Sequence, residues 1–253
     1  MADEFNQKKM DNPVNMKAFA EVVRSLTGYQ LSRDKIGALK IYEDELLAWN
    51  EHISLTAIRD PEGVRTKHFL DSMTVLLAWE RLSPPERMID VGTGAGFPGL
   101  VLKLLWPQSR LTLVESIHKK ADFCQHMVDR LGLEGVSVLS ERAEVVGKDP
   151  LHRQGYDLAL ARAVARMPIL VEYLLPLLHR NGVALAMKGE SAPAETQTAH
   201  KAINMLGGKL HKLINLKLPG VVEERFIVVI HKVAHTPEEY PRRVGMPAKN
   251  PIE

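Results

Sequence analysis

A single cysteine, Cys124, is too few for an internal disulfide or a cysteine-based zinc cluster, and it suits a reducing compartment. None of the ten histidines forms an H-x-x-x-H pair beside a helical carboxylate, so no metal is expected. A phosphate-gripping P-loop is excluded because no glycine loop continues into Gly-Lys-Ser/Thr. The most apolar stretch, 167–178, is interrupted by Glu172 and Pro176 and is too short to span a bilayer. The first ten residues lack the apolar run of a signal peptide, so a cytoplasmic protein with no membrane role is expected. A net charge of +2 does not by itself announce a polyanionic partner, so any nucleic-acid argument rests on where the charges lie. There is no internal repeat, no low-complexity block and no exposed coiled-coil pattern, and a monomer is expected.

What is present is an ordinary globular composition, 45% hydrophobic and 25% charged, enough for one main domain with an appendage. Residues 1–13 read as a mobile polar leader. Helical periodicity follows over 14–27, over 32–52 with Ser32 as cap, and over 61–81 with Asp60 as cap and Pro61 at the first helical position. Leu39, Leu46 and Leu47 form the stripe expected to pack on the core. From Met88 the pattern changes to short apolar runs alternating with helical segments, which predicts a mainly parallel sheet covered on both faces. Strands are expected near 88–92, 110–115, 136–140, 156–161 and 182–188. Helices are expected near 98–106, 118–132, 143–148, 168–180 (ending at Asn181-Gly182) and 193–206. Two further runs, 209–218 and 223–232, flank Pro219-Gly220 and predict an antiparallel hairpin, bringing the sheet to seven strands. Residues 235–253, rich in proline and charge, read as a strap or a loose end.

The segment Met88-Ile-Asp-Val-Gly-Thr-Gly-Ala-Gly-Phe-Pro-Gly99 carries the chemistry. An apolar strand delivers Asp90 and then Gly92, Gly94 and Gly96 to a helix start, where backbone amides can approach a nucleotide-type cofactor. Glu115 closes the next strand, where a carboxylate can accept both ribose hydroxyls. Glu141-Arg-Ala-Glu144 after the third strand lies where an adenine edge would be. Two cofactor classes fit. Gly94-Ala-Gly-Phe-Pro-Gly99 satisfies G-x-G-x-x-G and admits a nicotinamide dinucleotide, hence an oxidoreductase. S-adenosylmethionine is favoured by the acid before the loop, the missing second dinucleotide-type half and the terminal hairpin. Asp90 can orient the loop and the methionine ammonium, whereas it would repel a pyrophosphate.

At this point the chain resembles a known family. Residues 49–62 (Trp-Asn-Glu-His-Ile-Ser-Leu-Thr and onward), Lys67-His-Phe-Leu-Asp-Ser72, Asp90–Gly99, Ala161-Arg-Ala-Val-Ala165, Met187-Lys-Gly189, Glu224-Arg225 and 240–249 look like the RsmG (GidB) family of 16S ribosomal RNA guanine-N7 methyltransferases. The resemblance runs from about Tyr42 to the tail. It implies a class I, Rossmann-like, S-adenosylmethionine-dependent methyltransferase fold (α/β) over 85–234, preceded by a helical extension at 14–84 and followed by a basic tail at 235–253. It also implies donor contacts at Gly92, Phe97, Ala143, Glu144 and Arg162, and an acidic residue, Glu115, at the ribose. The acceptor would be a loop guanine of 16S ribosomal RNA, free or in the small subunit. A noncatalytic RNA-binding or ribosome-assembly role on the same fold is the remaining alternative.

Guanine N7 carries a lone pair and no proton, so the reaction needs neither a general base nor a covalent intermediate. Cys124 sits in the helix after the second strand, a buried-core position rather than a nucleophile's. The fourth strand ends in Ala161-Arg162-Ala163, not in an Asn-Pro-Pro-Tyr loop. The work left to the protein is alignment. Arg162 and Lys188, both at strand ends, are expected to hold the base through O6, with Lys119, Arg142 and Arg225 at phosphates or base. Between Thr196 and Val222 lie Lys201, Lys209, Lys212 and Lys217 without an acid, and Arg242, Arg243 and Lys249 extend this basic face into the tail.

Overall fold

Strands that are apolar on both faces need helices above and below them, and that requirement sets the architecture. In the computed structural model, which describes residues 13–253, seven strands form one sheet in the order β3-β2-β1-β4-β5-β7-β6. They are β1 (Arg87–Val91), β2 (Arg110–Val114), β3 (Val136–Leu139), β4 (Tyr156–Arg162), β5 (Leu178–Lys188), β6 (Gly208–Leu216) and β7 (Arg225–Lys232). The first five are parallel, with Asp90 level with Leu113 on one side and Leu160 on the other. β7 runs antiparallel between β5 and β6, so the expected hairpin is present. After β3 the chain returns to the other side of β1, which makes the carboxyl ends of β1 and β4 the switch point where such sheets bind ligands.

Alternate residues of each strand serve different layers. Leu158 and Leu160 of β4 face a core shared with Phe19, Leu39, Tyr42, Leu46 and Phe69 of the N-terminal helices. Ala159 and Ala161 face the opposite core, with Leu170, Leu174 and Ile203. The helical extension comprises α1 (Pro13–Thr27), α2 (Arg33–Asn50) and a composite α3 made of Pro61–Gly63, Val64–Leu70, Asp71–Met73 and Val75–Ala78. Ser32 caps α2 by accepting from the Lys35 N–H, and Asp60 caps α3 through the Gly63 N–H at 2.7 Å. Buried Glu43 and Arg65 tie α2 to α3 through a two-pronged ion pair at 2.5 and 2.7 Å. The leader assigned to residues 1–13 lies outside the described residues except for Pro13, which opens α1.

Three sequence expectations need correction. Residues 61–81 are not one regular helix: Val64–Leu70 is π-helical and the run ends at Ala78. Such widened turns commonly sit at functional sites, and this one carries Lys67 and His68 toward the sheet edge. The helix expected over 168–180 is α7 (Met167–Leu174), closed by a 3₁₀ turn over Leu175–Leu177. Pro176 has no N–H to continue it, and Asn181-Gly182 instead form an irregularity inside β5, with Asn181 at φ 74°. The helix at 193–206 divides into α8 (Ala192–Thr198) and α9 (His200–Met205). Between the strands lie α4 (Gly99–Leu105), α5 (His118–Arg130) and α6 (Ala143–Val146), and α10 (Met246–Lys249) sits in the tail.

The tail is a strap. Arg153 donates to the carbonyls of Thr236 and Tyr240 at 2.9 and 2.7 Å, and Glu144 accepts the Gly245 N–H at 2.9 Å. No helix among the described residues is long and apolar enough to cross a membrane.

Candidate active site

At the end of β1 the Gly92 and Thr93 amides both donate to the Val114 carbonyl, at 2.8 and 3.1 Å, and draw the loop over β2. Gly92, Gly94 and Gly96 all adopt left-handed φ (67°, 61° and 89°), for different steric reasons. A Cβ on Gly92 would lie 2.6 Å from the Val164 side chain, and one on Gly96 would strike Leu100 and the Tyr42 hydroxyl. One on Gly94 would meet nothing within 4 Å, so this glycine leaves the loop surface open. Gly94→Ala therefore carries only the left-handed backbone penalty, and chemical denaturation should register a loss of about 1–2 kcal/mol without loss of fold.

Two carboxylates hold this loop. Asp90, wholly buried, accepts from the Thr93 hydroxyl at 2.6 Å and the Gly99 amide at 2.8 Å, both through Oδ2. Its Oδ1 has no hydrogen-bond partner among the described residues. Burial pushes the Asp90 carboxyl up to about 6 despite those two donors. Glu115 accepts from Gly94 N–H at 3.0 Å and Ile117 N–H at 2.8 Å and stands at the mouth of the strand end. Cys124 is fully buried in α5 with its thiol against the Gly94 carbonyl, and burial pushes its ionisation far up, which removes it as a nucleophile. Tyr42 braces the loop from α2 by donating to the Ala95 carbonyl at 2.5 Å and stacking on Phe97 at 5.1 Å.

Beyond Gly92 a cavity of about 80 Å³ is bordered by Val114, Arg142, Ala143, Glu144 and Tyr173. The backbone N–H groups of Ala143 and Glu144 open α6 and make no hydrogen bond among the described residues. They are donors left available at a helix start beside this cavity. The Glu144 carboxylate is engaged by the tail, so of its groups the amide is the one left without a partner among the described residues.

A second cavity, about 320 Å³, lies on the other side of residues 162–164, between α3 and the ends of β4, β5 and β7. Arg162 lies on its wall. Its guanidinium donates to the Lys67 carbonyl (3.1 Å), Asp71 Oδ2 (2.9 Å) and His68 Nδ1 (3.0 Å), and lies 5.1 Å over the Phe97 ring. Because Arg162 can only donate, His68 Nδ1 must accept, which leaves the proton on Nε2 to donate to the Thr56 hydroxyl at 2.8 Å. Burial first, and then Arg162, push His68 down to about 3, so it is neutral. Ala163 follows in the left-handed region at φ 55°, an uncommon state for a residue with a Cβ.

The other cationic expectations divide. Arg225 borders this cavity, 3.9 Å from Asp71 Oδ1. Lys188 borders it too, but its ammonium is matched by Glu195 Oε2 at 2.7 Å and the Ala165 carbonyl at 2.8 Å, with a side-chain exposure of 9%. Lys188, expected to hold the base, is thus already engaged by a carboxylate and a carbonyl. Arg242, expected at RNA, is clamped on the buried Glu172 through Nε and Nη2 and secures the tail. Lys119, Arg142 and Arg243 are exposed. On the basic face Lys209 and Lys217 are exposed, whereas Lys212 pairs with Glu80 and Lys201 donates to the Glu253 carbonyl at 2.8 Å. Sequence reasoning gave no role to Thr56, His68 or Asp71, although His68 and Asp71 stand three apart in α3 within the segment 67–72 that carried the resemblance.

This strand order, with a glycine loop after β1, an acid after β2 and an antiparallel final pair, is the class I methyltransferase architecture. Solved structures share it. The chain is similar to a SAM-dependent O-methyltransferase from Thermotoga maritima (TM-score 0.52, 15% identity, 78% of this chain and 73% of that one). It is also similar to a SAM dependent methyltransferase from Aquifex aeolicus (TM-score 0.51, 18% identity, 69% of this chain and 94% of that one). Residues 35–225 match the family described as GidB, rRNA small subunit methyltransferase G, and the chain belongs to that family. Curated relatives named ribosomal RNA small subunit methyltransferase G are 49% identical in Roseiflexus castenholzii, over 92% of this chain and 99% of that protein. In Pelotomaculum thermopropionicum the identity is 44%, over 94% of this chain and all of that protein.

Proposed function

We propose that this protein transfers a methyl group from S-adenosylmethionine to N7 of a looped-out guanine in 16S ribosomal RNA of the small ribosomal subunit, acting in the cytoplasm as a monomer. The observation that carries this reading is the pair of cavities on either side of residues 162–164 in a chain that belongs to this family over residues 35–225. When bound, S-adenosylmethionine supplies a methyl group made electrophilic by the sulfonium. The residues present fit it: Glu115 would receive the ribose hydroxyls, the Ala143 and Glu144 amides the adenine edge, and the unpartnered Asp90 oxygen the methionine ammonium.

The protein's remaining task is to bring N7 into line while leaving its lone pair free. Arg162 can donate to the adjacent O6 without covering N7, and its place over Phe97 and on the wall of the larger cavity suits that role. Neutral His68, accepting from Arg162, fixes the guanidinium and takes no proton from the base. Arg225 and the exposed Lys119, Arg142 and Arg243 would meet phosphates, giving RNA affinity that falls with added salt. The nicotinamide alternative loses ground because the chain belongs to a methyltransferase family over residues 35–225 and its sheet ends in the antiparallel β6–β7 pair instead of a second dinucleotide-type half.

The test is incubation of the purified protein with S-adenosylmethionine and small subunits or 16S RNA lacking the modification, followed by mass spectrometry of nucleosides. The expected product is 7-methylguanosine at a single position. Tight RNA binding without product would support a noncatalytic role and overturn the proposal.

A further inference from the structure

The larger cavity has a charge pattern that a cation-lined pocket for phosphate would not need. Lys67, Arg162, Lys188 and Arg225 border it, yet among the described residues a single carboxylate does so as well, that of Asp71. Asp71 is the last acid before a buried stretch of α3, and its side chain is 8% exposed. Its two oxygens are used unequally. Oδ2 accepts from Arg162 at 2.9 Å, whereas Oδ1 has no hydrogen-bond partner among the described residues and lies 3.9 Å from the Arg225 guanidinium, too long for a hydrogen bond. A nearly buried carboxylate oxygen with spare acceptor capacity beside an open volume is a site for a donor from outside the protein.

Guanine presents such donors. Its N1–H and 2-amino group lie on the edge opposite the imidazole ring, while O6 and N7 are acceptors. Adenine places an acceptor at N1 and a donor on C6. A pocket with one carboxylate among cations therefore matches guanine: donors of the base toward Asp71, O6 toward a guanidinium. At about 320 Å³ the volume is at the lower end of small-ligand pockets, in keeping with one base extruded from its stack. We infer that Asp71 is the specificity-determining residue for the acceptor base, reading the N1–H and 2-amino edge of guanine through Oδ1 while Oδ2 anchors Arg162. This rests on the proposed methyl transfer to guanine and adds the group that selects the base.

The experiment compares two RNAs that differ only at the target position, guanosine or inosine, with wild-type protein and with Asp71→Asn. Inosine keeps N7, O6 and N1–H and lacks only the 2-amino group. Wild type is expected to methylate the inosine RNA about tenfold to a hundredfold less efficiently in kcat/KM, the cost of leaving a charged acceptor without its donor. Asp71→Asn should be slower on guanosine and should lose most of that discrimination, since an amide of either orientation offers no carboxylate to the 2-amino group. If Asp71 merely anchors Arg162, the variant will be slow on both RNAs with the inosine penalty intact, and the assignment fails. Equal efficiency of wild type on the two RNAs, a comparison that needs no variant to fold, would overturn it as well. Absence of product from wild type on guanosine RNA would instead strike the functional reading, and the assignment with it. Calorimetric binding of S-adenosylmethionine to Asp71→Asn, expected within about twofold of wild type, separates a local change from a collapsed site.

Discussion

Arg162→Ala is expected to lower single-turnover methyl transfer by about 10²–10³-fold at saturating RNA, the usual cost of removing one preorganised donor from a reacting centre. Three acceptors on α3, the Lys67 carbonyl, Asp71 and His68, fix the guanidinium from one side, and Phe97 of the glycine loop supports its face. The side chain therefore couples the wall of one cavity to the loop that borders the other. Alanine removes that coupling, and the reacting atoms lose alignment even where both ligands still bind, so kcat should fall more than KM rises. The fold should persist because Arg225 remains beside Asp71 and the sheet pairing of β4 does not involve the side chain. Arg162→Lys should recover little, since a point charge cannot reach three acceptors as a planar fork does. Turnover near the wild-type rate in Arg162→Ala would remove this residue from the mechanism.

Much of the fold was legible because its signals are local. Uninterrupted apolar runs marked the buried strands, Asp60-Pro61 marked a helix start, and Pro219-Gly220 marked the hairpin. The misplacements came where a local signal had two readings. Pro176 lies inside a helical period that continues to 180 yet ends the helix there, and nothing in 64–70 announces a π turn, because widening depends on what the turn packs against. The glycine loop and Glu115 were equally readable, being adjacent to strands. The acceptor side was not. Arg162 meets Lys67, His68 and Asp71 across more than ninety residues, and the partners of Lys188 and Arg242, Glu195 and Glu172, lie on other elements. A sequence shows that a lysine is charged; it does not show whether a carboxylate has already taken it. The same blindness applies to histidines. Among the described residues Glu80, His211 and His231 bring ligand atoms within 4.8 Å of one another across the β6–β7 pair, a grouping invisible to helical spacing, although Lys212 already occupies the Glu80 carboxylate.

Asp90→Asn should make the protein more stable and a poorer binder of its donor, both at pH 8. The carboxyl titrates near 6 in the fold against 3.8 unperturbed, chiefly because burial disfavours the anion. Between those values the native state holds a proton that the unfolded chain has released, so stability falls as pH rises through this window, and the deficit is complete above about 6. A shift of that size corresponds to at most about 3 kcal/mol. Asparagine keeps an oxygen for the Thr93 hydroxyl and the Gly99 amide and carries no charge, so it relieves part of that deficit. In thermal denaturation the variant should melt above wild type at pH 8, and the gap should close as the pH is lowered toward 4, where the wild-type carboxyl is itself neutral. Calorimetry at pH 8 should show S-adenosylmethionine binding weakened by about tenfold to a hundredfold, through loss of the anionic oxygen that the protein leaves without a partner. The opposite signs are the content of the prediction: a buried charge that costs the fold persists because a cationic ligand group repays it. A variant that melts lower than wild type at pH 8, or that binds the donor equally well, would show that Asp90 serves only to fasten the loop.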